Sequence, residues 1–97
     1  MLNKVKLALR ITESAFDDEV TDLINAAAAD LRLVGINVQE VGVFDTTTGD
    51  PLLDRAIVLY AKANFGYTDD AERYRAAYDY LKCALSLSGE HTESEGE

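Results

Sequence analysis

The chain contains one cysteine, one histidine, one proline and no tryptophan, and its nine basic residues face eighteen acidic ones. A single cysteine, Cys83, cannot close an internal disulfide, so the fold must rest on its own core; the usage suits a reducing cytoplasm. Cys83 and the lone His91 do not form a nucleophile and base pair, since one lies on a helix and the other in an acidic stretch. CxxC, HExxH and phosphate-binding glycine loops are missing as well, so neither catalytic residues nor a cofactor are expected. The longest uninterrupted apolar run, Ala56 to Ala61, ends at Lys62, far short of the roughly 20 residues a membrane span requires. Lys4, Lys6 and Arg10 break up the first residues before any signal-peptide core forms. The scarcity of Lys and Arg leaves a formal charge of −9, which argues against a protein that grips nucleic acid by neutralising phosphates.

What the chain does have is helical periodicity. At 97 residues it is long enough for one domain with a single core. The stretch DPLLDRAIVLYAKANFG organises it. Asp50 is a good N-cap, and Pro51 follows at the first helical position, where a missing N–H costs nothing. Leu53, Ile57, Tyr60, Ala61 and Asn64 share one face, and Leu52, Ala56, Leu59 and Ala63 form a second stripe beside it. A helix apolar around most of its circumference is a central one, and Gly66 offers it a left-handed C-cap.

Three further helices are expected around it. Leu2 to Leu9 forms a short one, stable only when docked. Thr12 or Ser14 caps the next, from about Phe16 to Val34, with Asp17, Asp18 and Glu19 where negative charge suits the helix dipole and Gly35 past its end. That role accounts for these carboxylates, with Asp22, without a metal ion. The run Ala26 to Ala29 permits a close helix crossing. Thr68 caps the last helix, whose inner face carries Tyr74, Ala77, Tyr78, Leu81, Ala84 and Leu85, and which Gly89 stops. The expected core is Leu23, Ile24, Leu31, Leu53, Ile57, Tyr60, Tyr74, Tyr78 and Leu81. The fold class is thus all-α, a small bundle of about four helices, one short and three longer, over residues 1–89.

Two segments lack a helical period. Residues 37–49 read as one long loop, and its Val38, Val41, Val43 and Phe44 are candidates for contact with a partner. Residues 90–97, EHTESEGE, carry four glutamates and no Lys or Arg, and read as a disordered acidic tail. Charge is also split at the other end. Lys4, Lys6 and Arg10 stand without an acid in residues 1–10, whereas Glu13, Asp17, Asp18, Glu19 and Asp22 stand without a base in residues 11–22. Lys4, Lys6, Arg10, Asp17, Asp18 and Glu19 are therefore candidate subunit-interface residues, though the two groups can equally meet within one subunit. Five tyrosines invite a base-stacking platform, but their spacing favours burial with the hydroxyls at the rim.

The blocks LALRIT with AFDDEVTDLINAAAADLRLVGI, DPLLDRAIVLYAKANFG and ERYRAAYDYLKCALSLSGE, in this order, resemble the small head-tail connector proteins of tailed bacteriophages, also called adaptor or DNA-packaging proteins. The resemblance implies an all-helical structural subunit with no enzyme activity. It implies a ring of about a dozen copies below the portal, a portal partner and a tail-side connector partner. DNA would pass through the ring without sequence-specific binding, and the protein would reside in the virion neck after assembly in the bacterial cytoplasm, whether phage- or prophage-encoded. Two rivals stand beside it. One is a small acidic regulatory or antitoxin-like module that binds a partner through an apolar helix face. The other is a helix-turn-helix regulator, disfavoured because Asp69 to Lys82 holds four acids against three bases where a recognition helix should be basic.

Overall fold

A computed structural model describes residues 1–38, 47–65, 70–89 and 91–92. The chain runs through α1 (Leu2–Leu9), a 3-10 turn (Ser14–Phe16), α2 (Asp17–Leu33), α3 (Pro51–Asn64) and α4 (Ala71–Ser86). No strand occurs among the described residues, only an isolated bridge between Ile36 and Thr92. The all-α, four-helix expectation therefore holds.

The helix ends follow from local chemistry. Asp50 caps α3 by accepting the Leu52 N–H at 2.9 Å, with Pro51 in the first turn. α2 begins differently from expectation. The 3-10 turn leads into it, and neither Thr12 nor Ser14 supplies a side-chain cap. It closes with the Ile36 N–H on the Leu31 carbonyl and the Gly35 N–H on that of Arg32, Gly35 lying at φ 90°. The same pair of bonds ends α1, from Ile11 to Lys6 and from Arg10 to Leu7, but there an arginine takes the left-handed position, at φ 61°. Gly66 and Thr68, the expected cap residues beyond α3 and before α4, lie outside the described residues.

α3 is the helix on which the other three pack. Its Leu53, Ala56, Ile57, Val58, Leu59 and Ala61 are buried against Val5 of α1, Val20, Ile24, Ala27, Ala28 and Leu31 of α2, and Tyr78 and Leu85 of α4. Of the expected core, Ile24, Leu31, Leu53, Ile57 and Tyr78 are buried, while Leu23, Tyr60, Tyr74 and Leu81 are half-buried against it. Ring contacts join neighbouring helices. Phe16, at the start of α2, meets Phe65, just past the end of α3, edge to face at 5.7 Å, and Tyr60 meets Tyr78 at 5.2 Å. The Phe16 contact sets α2 antiparallel to α3, His91 beyond α4 reaching Asp50 at the start of α3 sets α4 antiparallel to it, and α1 runs parallel to it, with Lys4 beside Pro51 and Arg10 beside Phe65.

Two buried residues tie the ends of the long loop to the bundle. Asp54, a charged residue in the first turn of α3, is only 7% exposed. Its Oδ1 accepts the Thr48 N–H at 2.9 Å and the Thr48 hydroxyl at 2.7 Å, and that hydroxyl in turn accepts the Asp50 N–H at 3.1 Å. The end of the long loop is thereby folded onto the first turn of α3. Val38, proposed as a partner contact, is buried in the subunit's own core, its carbonyl accepting the Arg32 Nε–H at 2.9 Å. Val41, Val43 and Phe44 lie outside the described residues.

Candidate functional site

Antiparallel packing gives the subunit two ends. At one end α1 and α3 finish and α2 and α4 begin. There Ala8, Leu9, Arg10, Lys62, Phe65 and Tyr74 line a groove of about 340 Å³. The Lys62 ammonium stands 5.0 Å from the centre of the Tyr74 ring and the Arg73 guanidinium 5.6 Å from it, both within cation–π range. At the other end α2 and α4 finish. Leu33, Val34 and Leu87 are exposed there.

That second end is closed by His91 and Thr92, residues whose composition suggests a free tail. The His91 Nε2 lies 2.7 Å from Asp50 Oδ2, its Nδ1 lies 2.7 Å from Ser88 Oγ, and its carbonyl accepts the Asn37 N–H at 2.7 Å. Thr92 Oγ1 donates to the Ser88 carbonyl. One short segment thus joins the ends of α2 and α4 to the cap of α3. Asp50 serves twice, one carboxylate oxygen on the helix N–H and the other on the imidazole.

The six candidate interface residues divide. Lys6 Nζ pairs with Asp17 Oδ1 at 2.6 Å inside the subunit, with the lysine largely covered. Part of the charge split is thus internal. Lys4, Arg10, Asp18 and Glu19 remain exposed. Lys4 lines a hollow with Thr47, Gly49, Pro51 and Asp54 beside the start of α3, and Arg10 lies in the groove at the opposite end.

A polar link that periodicity does not reveal crosses from α2 to α4. Tyr78 donates its O–H to Asp30 Oδ2 at 2.6 Å, and Lys82 Nζ reaches the same oxygen at 3.1 Å. The Tyr78 hydrogen bond, with Lys82, holds the Asp30 carboxyl below its ordinary value against the opposing effect of burial. Burial first, and then the Asp30 carboxylate, push the Tyr78 phenol far above its own. Both groups line a hollow of about 240 Å³ together with Tyr60, Arg75, Asp79 and Lys82, and their short bond clamps α2 to α4. Cys83 is exposed. No group of three or more His, Cys, Asp or Glu among the described residues is placed to hold a metal ion. Nor is any helix long and apolar enough to cross a membrane.

Residues 1–92 match the family model described as phage connector protein, a span that takes in all four helices and the His91 segment. Comparison with curated proteins and with solved structures gives no match. The matched family is a structural one, acting in the head-tail connector of phage particles. With an all-α fold and a match over nearly its whole length, the chain belongs to the phage connector protein family.

Proposed function

We propose that the protein is the ring-forming subunit of the connector, seated between the portal and the tail-side connector protein and extending the channel through which the genome passes. The family match over residues 1–92 carries this reading. The subunit's polarity supports it. A closed ring needs two different complementary faces on each copy, and here a cationic groove and an end with exposed Leu33, Val34 and Leu87 lie at opposite ends of the bundle. The −9 charge suits a channel wall that lets DNA slide, because it lacks the clustered cations that would hold phosphate. DNA then passes without sequence-specific contact.

Within the ring, Lys4 of one copy faces Asp18 and Glu19 of the next. Lys6 is occupied by Asp17 of its own subunit, so its reversal perturbs the subunit rather than the interface. Negative-stain imaging of concentrated protein, with and without the portal, tests the assignment. Closed rings on the portal are the expected result. Lys4→Glu should weaken their formation without lowering the subunit's melting temperature, whereas Lys6→Glu should lower it. A portal that gains no density from saturating subunit overturns the ring reading.

A further inference from the structure

We propose that the groove between the end of α1, the end of α3 and the start of α4 receives the glutamate-rich segment 93–97 of a second copy of this chain. Among the described residues, the groove's lining includes two cations, Arg10 and Lys62, and no carboxylate, in a chain with twice as many acids as bases. Lys6 and Lys82, by contrast, are each paired with an aspartate of their own subunit. Arg10 is also the only non-glycine residue at positive φ among the described residues. A glycine would end α1 there without strain, as Gly35 ends α2. The guanidinium is therefore held in the groove against a backbone cost.

The occupant follows from charge and reach. Glu93, Glu95 and Glu97 alternate with Ser94 and Gly96. An extended segment of that pattern places three carboxylates along one side, about 7 Å apart. Their methylenes can lie against Phe65 while the carboxylates meet the cations, Lys62 being held over the Tyr74 ring. The segment's root is fixed at the far end of the molecule, where His91 holds Asp50. Asp50 and Lys62 are separated by the length of α3, about 18 Å at 1.5 Å per residue. Five residues beyond Thr92 span about 17 Å when fully extended. That is too short to travel along the bundle and then lie in the groove of the same subunit. The contact is accordingly between copies, head to tail. It deepens the ring reading by naming one contact between neighbours, but it does not require the assembly to close.

A fluorescent peptide of residues 90–97, titrated with the full chain and followed by anisotropy, tests the contact on single subunits. Saturable binding is expected. Arg10→Gly and Lys62→Gln should each weaken it several-fold and together about tenfold, as should a peptide with glutamine at positions 93, 95 and 97. Arg10→Gly should melt at or above the wild-type temperature, because it relieves the left-handed position, so lost binding cannot be assigned to unfolding. A peptide that fails to bind at millimolar protein, or binds both variants as tightly as wild type, overturns the proposal. So does a DNA oligonucleotide that needs Arg10 and Lys62 while the peptide does not bind. Failure of the ring reading is distinct: the peptide binds and the portal gains no ring.

Discussion

Replacing Tyr78 by phenylalanine removes one oxygen and leaves the buried ring in place against Tyr60. The lost bond is a short one to a carboxylate, a class worth about 1.5–3 kcal/mol. Asp30 keeps 31% of its side-chain surface and the Lys82 ammonium, so water replaces part of what the phenol supplied. The expected cost is then at the lower end, about 1–2 kcal/mol. Its pH dependence carries more information. Asp30 is lowered in the fold, so its contribution is present above the ordinary value of 3.8 and is lost as pH falls through the folded value. Tyr78 is raised, so its contribution is complete below its ordinary value of 10.0 and erodes as pH climbs beyond it. The gap between wild type and Tyr78→Phe should therefore be flat from about pH 5 to 9 and narrow on both sides. Urea unfolding at a series of pH values measures it, with the slope unchanged between the two proteins. A gap that stays constant down to pH 2 would show that the phenol does not act through the Asp30 carboxylate.

Ile57 is fully buried at the centre of α3, and Ile57→Ala should cost about 2–5 kcal/mol in the same assay, more than Tyr78→Phe; the reverse order would mean the core is misplaced. Thr48→Val keeps the side chain's shape but removes the hydroxyl that donates to buried Asp54, and a thermal melt should register a loss of about 1–2 kcal/mol. Ending the chain after Gly89 removes the His91 bonds to Asp50, Ser88 and Asn37, whereas ending it after Thr92 keeps them. The first truncation should therefore melt several degrees below the second, and equal melting temperatures would deny His91 its structural role.

The bundle was legible because its determinants are local. Asp50 and Pro51 mark a start, Gly35 marks an end, and the stripes of α2, α3 and α4 hold most of the residues that became the core, although Leu52 of α3 and Ala77 and Ala84 of α4, expected inside, are exposed. What stayed hidden depends on which distant residues meet. Asp30 looks like any polar position on α2, and only the antiparallel packing of α4 brings Tyr78 and Lys82 to it. His91 sits among glutamates, so composition assigns it to a tail, although a lone imidazole two residues beyond the glycine that stops the expected helix is a candidate partner for an N-cap aspartate elsewhere. Thr48 could have been found: a hydroxyl two residues before an N-cap, with a carboxylate four residues after that cap, is a local signal of a loop folded onto a helix start. Position 10 shows the opposite case. The sequence offers an arginine where a glycine is expected, and periodicity ends there without indicating that the backbone turns left-handed.

The pairing of Lys6 with Asp17 changes what the charge split can do. Read from sequence, three adjacent cations and a run of acids offer a ready-made contact between copies; in the fold the middle cation is occupied. The remaining two separate along α1, Lys4 beside the start of α3 and Arg10 beside its end. Copies with nine net negative charges repel one another at a distance, so attraction must come from short contacts where cations are concentrated. Among the described residues the groove with Arg10 and Lys62 is such a place, and the glutamates after Thr92 are rooted at the opposite end of α3. A contact joining opposite ends is not made by a two-fold axis. It repeats from copy to copy in one direction, and only the rotation between the groove and the root of the acidic segment decides whether the series closes into a ring or continues as a filament. The bonds of His91 to Asp50, Ser88 and Asn37 stiffen that root against the core, and they are what would fix the rotation.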